Sequence, residues 1–125
     1  FNKWLALEAG SPLPGVLGRV EELLQHRRFD AGNPNRVRAL IGAFVRSNPV
    51  YFHAADGSGY AFLTKKVLSL DPKNPQLAAR LTGALARWRR FDKGRQKHMQ
   101  AALTEIMATD GLSRDSFEVA SKALA

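Results

Sequence analysis

Three histidines, eleven carboxylates and nineteen lysines or arginines are the side chains here whose chemistry needs an account. His26, His53 and His98 stand alone: no second histidine lies three or four residues away, and no carboxylate completes a metal-binding set with them. A solitary histidine reads as a packing or surface residue. Glu21 and Glu22 are adjacent, so on a helix they point to different sides and form no acid/base pair. Asp56, Asp110 and Asp115 fall at turns and caps, while Asp71 and Asp92 read as turn or helix-start residues with no evident partner to tune them. Asp56-Gly57-Ser58-Gly59 lacks the full G-x-x-x-x-G-K-[ST] pattern and no strand precedes it, so it reads as a turn and helix cap rather than a phosphate loop. No G-x-S-x-G elbow presents a serine nucleophile. Cysteine is absent, which excludes disulfides, thiolate zinc sites and a cysteine nucleophile and fits a reducing compartment. The residues assign no catalytic group and no metal ligand.

The densest chemical signal is basic. Arg80, Arg87, Arg89, Arg90, Lys93, Arg95 and Lys97 stand against a single Asp92. A continuous helix through this stretch would set Arg80, Arg87 and Arg90 opposite Leu77, Leu81 and Leu85, a ridge able to grip phosphates. Read alone, the cluster is a solvated face or a surface that docks on an acidic neighbour. The net charge of +8 raises the same question for the whole chain. A free-standing basic helical module that binds nucleic acid or an acidic protein is the alternative reading, although no nucleic-acid fold signature accompanies the charge.

The elements that carry these groups are helices. Phe1 to Ala9 reads as the tail of an amphipathic helix closed by Gly10-Ser11-Pro12-Leu13-Pro14-Gly15. A second, with Val16, Val20, Leu23 and Leu24 on one face, runs down to His26-Arg27-Arg28. Asn33-Pro34, Asn48-Pro49 and Asn74-Pro75 repeat one start signal, a capping amide before a proline that has no N–H to leave unpaired. Apolar stripes follow: Val37, Leu40, Ile41, Phe44 and Val45; Tyr60, Leu63, Val67 and Leu70; Leu77, Leu81, Ala84, Leu85 and Trp88; Met99, Leu103, Ile106 and Met107. Asp110-Gly111 stops the last of these, and Ser113 starts a short final helix.

The pattern predicts six or seven helices of ten to sixteen residues with short connections. The fold class is all-α: stacked antiparallel helical hairpins, an irregular α-solenoid of HEAT/armadillo-like superhelical type, with residues 1–125 as one helical segment. A chain of this length buries roughly two thirds of its unfolded surface, and its 45 % hydrophobic and 24 % charged residues are ordinary for a globular chain. No apolar run approaches the ~20 residues of a membrane span. An opening on Phe1-Asn2-Lys3-Trp4-Leu5, mid-helix and without methionine, points to a piece of a longer protein.

Several strings carry a resemblance. Asn33-Pro34-Asn35-Arg36-Val37-Arg38-Ala39-Leu40-Ile41-Gly42-Ala43-Phe44 and His53-Ala54-Ala55-Asp56-Gly57-Ser58-Gly59-Tyr60 resemble the terminal segment of bacterial aminopeptidase N. So do Asn74-Pro75-Gln76, Ala79-Arg80-Leu81 and Ser121-Lys122-Ala123-Leu124-Ala125. Asn2-Lys3-Trp4 is similar to a D-K-W segment of the same domain, with Asn2 in place of the aspartate. The resemblance runs almost end to end. It implies a cytoplasmic parent that is a zinc-dependent, alanine-preferring aminopeptidase of broad specificity. The parent's H-E-x-x-H zinc site lies in an upstream thermolysin-like domain, and no residue here matches it.

The resemblance places this chain at the end of the C-terminal helical domain. That domain packs on the catalytic domain of the same chain, caps it, and walls the cavity through which peptide substrate reaches the zinc. Arg38 and Arg80 carry over as the two arginines that face this cavity and meet the C-terminal side of the peptide. Both lie off the apolar stripes, Arg38 one turn from Gly42. A guanidinium suits a free peptide carboxylate; a salt bridge or a solvated surface position is the other reading of both. The expectations are no catalytic residue and no cofactor in this segment, no specific nucleic acid, no membrane, and self-association of the isolated piece.

Overall fold

The computed structural model describes residues 1–26, 28–30 and 32–125, and among them all regular structure is helical. The helices gather into two compact units, Phe1–Phe52 and His53–Ala125.

In the first unit, α1 (Asn2–Ala9) buries Leu5 and Ala9, and α2 (Val16–Leu24) buries Val16, Val20 and Leu23, four- and three-residue spacings that make a single face. Arg27, in the expected decay of α2, lies outside the described residues. α3 (Pro34–Val37) starts as its sequence demands: Asn33 Oδ1 accepts from the Asn35 and Arg36 backbone N–H groups at 3.0 and 3.4 Å, with Pro34 behind it. The helix then widens into a π-helical segment, Arg38–Gly42, before resuming as α4 (Ala43–Ser47). Val37, Leu40, Ile41 and Phe44 are buried, and α1 packs on the π segment and α4.

The second Asn-Pro pair works differently from the first. Asn48 is buried ahead of the single turn α5 (Pro49–Phe52), and its side-chain Nδ2 donates to the carbonyls of Ala9 and Ser11, both at 2.9 Å. It satisfies the carbonyls where α1 ends, a role that no local pattern announces.

In the second unit, α6 (Ser58–Leu70) packs on α7 (Pro75–Thr82) and α8 (Lys93–Ala108), and α9 (Arg114–Leu124) packs on α7 and α8. Tyr60, Leu63, Val67, Leu77, Leu85, Met99, Leu103 and Ile106 fill the interior. Asn74 and Ser113 cap α7 and α9 through Leu77 N (3.1 Å) and Ser116 N (3.2 Å). The third expected stripe is not one helix. α7 stops at Thr82 and tightens into a 3-10 turn, Gly83–Leu85, with a second, Trp88–Arg90, after it. Gly83 is a poor helix former, so the chain loses little by narrowing there. The expected helix lengths are corrected in part: α5 has four residues and α1, α2 and α7 eight or nine, while α6, α8, α9 and the continuous run from α3 through the π segment to α4 pass ten.

Candidate functional site

Arg38 opens the π segment and projects from the first unit, exposed, with its Nη1 3.3 Å from Asn35 Oδ1. The wider π turn re-aims the side chains at its ends, a distortion often kept where a residue has a task. Gly42 offers less open space than its lack of a side chain suggests. A Cβ there would stand 3.6 Å from Arg46 Nη2 and 3.8 Å from the Arg38 Cβ, so both arginines flank the glycine. Arg46 is the neighbour that the sequence reading missed. Arg80 is exposed on α7 in the second unit, between buried Ala79 and Leu81, and makes no ion pair with any described residue. Neither guanidinium is neutralised by a carboxylate among the described residues, which leaves each able to hold an anion.

The basic cluster divides by task. Arg89 stacks over the Trp88 ring at 4.2 Å and donates to the carbonyls of Ala123 (3.1 Å) and Ala125 (2.6 Å), beside the Trp88 indole N–H, which donates to Ala123 at 2.8 Å. Arg95 pairs with Asp92 at 2.8 Å and sends its Nε to the His53 carbonyl at 2.7 Å. Because α7 ends at Thr82, Arg80, Arg87 and Arg90 form no continuous ridge. Arg87 and Arg90 instead line an open concavity of about 530 Å³ with His53, Gly83, Ala86 and Phe91.

The histidines are packing residues in three different settings. His26 meets the rings of Phe1 and Trp4, His98 covers Gly57, and His53 stacks on Phe91 at 4.5 Å with its Nδ1 2.6 Å from the Tyr60 hydroxyl. Burial, helped by the nearby Arg95 charge, pushes the His53 pKa below its ordinary value.

Asp71 lies in a turn as expected, but it has the partners that its local sequence does not show. It is 3 % exposed at the end of α6 and accepts from Ser113 N, Ser113 Oγ and Ser116 Oγ. Burial raises its pKa, but the hydrogen bonds from Ser113 and Ser116 together outweigh that and hold the carboxyl below its ordinary range. Among the described residues no three His, Cys, Asp or Glu side chains converge as a metal site would require.

Residues 1–125 match a family described as "Domain of unknown function (DUF3458_C) ARM repeats". The chain belongs to this ARM-repeat family. Its all-α architecture is that of the family's repeats, and its relatives are peptidases. It is 51 % identical over 125 residues to aminopeptidase N of Escherichia coli (strain K12), covering all of this chain and 14 % of that protein. It is 45 % identical over 124 residues to aminopeptidase N of Haemophilus influenzae, covering 99 % of this chain and again 14 % of the relative. A crystal structure of Legionella pneumophila aminopeptidase A in complex with aspartic acid superposes with a TM-score of 0.92 at 38 % identity, over 98 % of this chain and 14 % of that one. The family member described here therefore spans about 14 % of the length of these relatives.

Proposed function

We propose that this chain is the non-catalytic helical wall of an aminopeptidase N, which removes residues from peptide N-termini. In the whole protein it caps the catalytic domain and lines the cavity that peptides enter. The observation that carries the reading is 51 % identity from end to end with a segment that makes up 14 % of an aminopeptidase N. The zinc ion that such a peptidase uses is assigned to the rest of that protein; among the described residues no three His, Cys, Asp or Glu side chains converge to hold it. The chain's own contribution is to binding. Arg38 and Arg80, each exposed and without a carboxylate partner among the described residues, are each suited to the free carboxylate of a short peptide.

The test uses the intact native polypeptide. Arg38→Ala and Arg80→Ala raise KM for a tripeptide by about tenfold, the loss of one hydrogen bond to a charged group, and leave KM for an alanyl anilide unchanged. An equal rise for both substrates removes the carboxylate from the explanation. No rise for either removes these arginines from the cavity.

A further inference from the structure

The family reading leaves Arg87 and Arg90 without a task. In a 3-10 turn residues three apart eclipse one another, and the Arg90 N–H donates to the Arg87 carbonyl at 3.0 Å across the turn Trp88–Arg90. The two side chains thereby leave the turn on the same side and both line one concavity, while Trp88 is buried and Arg89 is held at the carbonyls of α9. Neither Arg87 nor Arg90 forms an ion pair or side-chain hydrogen bond with a described residue.

They meet the concavity of about 530 Å³, whose small residues keep it open; a Cβ on Gly83 would touch nothing within 4 Å. The opposite side is fixed. Phe91 is stacked on His53, its carbonyl accepts from Gln96 Nε2 at 2.7 Å, and Arg95 grips the His53 carbonyl. The result is an open hollow lined by a stacked aromatic pair, small residues and two arginines that have no ion pair among the described residues.

We infer that this hollow is a binding site for a small doubly charged oxyanion, held by the Arg87 and Arg90 guanidinium groups. Two positive charges match a dianion, and the planar forks suit carboxylate or phosphate oxygens bidentately. The volume admits a ligand of a few heavy atoms beyond the charged group. A phosphate or a dicarboxylate presents this same chemistry. Arg80 does not line the hollow, so the site stands apart from the carboxylate-binding role proposed above.

Calorimetric titration of the intact native polypeptide at ~150 mM salt and about pH 8, where inorganic phosphate is a dianion, tests it with two probes, inorganic phosphate and succinate. Saturable binding of at least one probe is expected, weakened about tenfold or more in the double variant Arg87→Ala, Arg90→Ala. A charge-matched control, Lys65→Ala with Lys97→Ala, retains the affinity. Preference for phosphate or for succinate identifies which source the site serves. Equal weakening in both double variants reduces the effect to net charge and overturns the site, as does no saturable binding of either probe. Unchanged circular dichroism and melting temperature in the arginine variant keep the comparison one of binding.

Discussion

Ser113 reaches Asp71 twice across 42 residues of sequence, its backbone N–H donating to Oδ2 at 2.7 Å and its hydroxyl to Oδ1 at 2.6 Å. Ser116 adds its own hydroxyl to Oδ1 at 2.6 Å. The start of α9 is thus tied to the end of α6 by one carboxylate, and Ser113 simultaneously caps its helix through Ser116 N.

Removing that carboxylate strands a buried hydroxyl and a backbone N–H. Asp71→Ala is expected to cost about 2 kcal/mol of unfolding free energy in urea denaturation. Asp71→Asn offers an NH2 where an acceptor is needed and falls between it and the native chain. The folded pKa of Asp71 is held down, so its contribution is complete above the unfolded value near 4 and drains away as pH falls through the folded value. Melting temperatures from about pH 6 to pH 3 fall less steeply in Asp71→Asn than in the native chain. Parallel slopes would remove Asp71 from the acid sensitivity.

Gly57 and His98 impose a second constraint. Gly57 has φ +78°, and a Cβ placed on it would lie 2.6 Å from His98 Nδ1 and 2.7 Å from His98 Cγ. Gly57→Ala carries about 1–2 kcal/mol of left-handed backbone strain and in addition forces the imidazole to swing away. Adding His98→Ala recovers the steric part and leaves the strain, so the double-mutant cycle shows a favourable coupling. Strict additivity would mean that the ring yields freely.

Helix starts, apolar faces and the all-α class were legible because each is written within one or two turns of chain. Asn33, Asn74 and Ser113 cap the helices that follow them; the stripe on α6 is buried throughout, and that on α8 is buried at Met99, Leu103 and Ile106 but only partly covered at Met107. What was not legible depends on distant partners. The Asn48 amide goes to carbonyls 39 and 37 residues back, and Asp71 finds its donors beyond α8. The break at Gly83 turned an expected ridge of Arg80, Arg87 and Arg90 into a hollow that keeps only two of them. Arg38 and Arg80 entered by resemblance. The residues themselves show two exposed cations with no carboxylate partner among the described residues.

His53 gives a pH dependence of opposite chemistry but the same direction. Burial disfavours its charged form, with Arg95 adding repulsion, while Tyr60 and Phe91 fix the ring. A base whose folded pKa is depressed binds its proton more readily when unfolded. Stability is therefore full above the unfolded value near 6.5 and declines as pH falls from there through the folded value. The His53 ring proton, followed by NMR, titrates with a midpoint below 6.5, and His53→Gln flattens stability between about pH 7 and pH 5. A midpoint above 6.5 would show that the imidazolium is stabilised in the fold.

The first unit leaves large apolar side chains in water, and that determines how the chain behaves by itself. Leu7 is 71 % exposed, Leu13 68 % and Val50 73 %, on α1, the loop after it and α5. Fully burying one such side chain is worth about 1.5–3 kcal/mol, so a second copy has something to gain by covering them. A helical repeat relies on its neighbours to cover its outer apolar face, and this chain corresponds to 14 % of its relatives. Sedimentation equilibrium of the 125-residue chain is expected to show reversible self-association that strengthens with salt as the repulsion of a +8 charge is screened. Leu7→Glu combined with Leu13→Glu shifts it toward monomer without lowering the melting temperature, because neither leucine belongs to the core. If the native chain stays monomeric at high concentration, these side chains are ordinary scattered surface residues; if the double variant also melts early, they support the unit from outside.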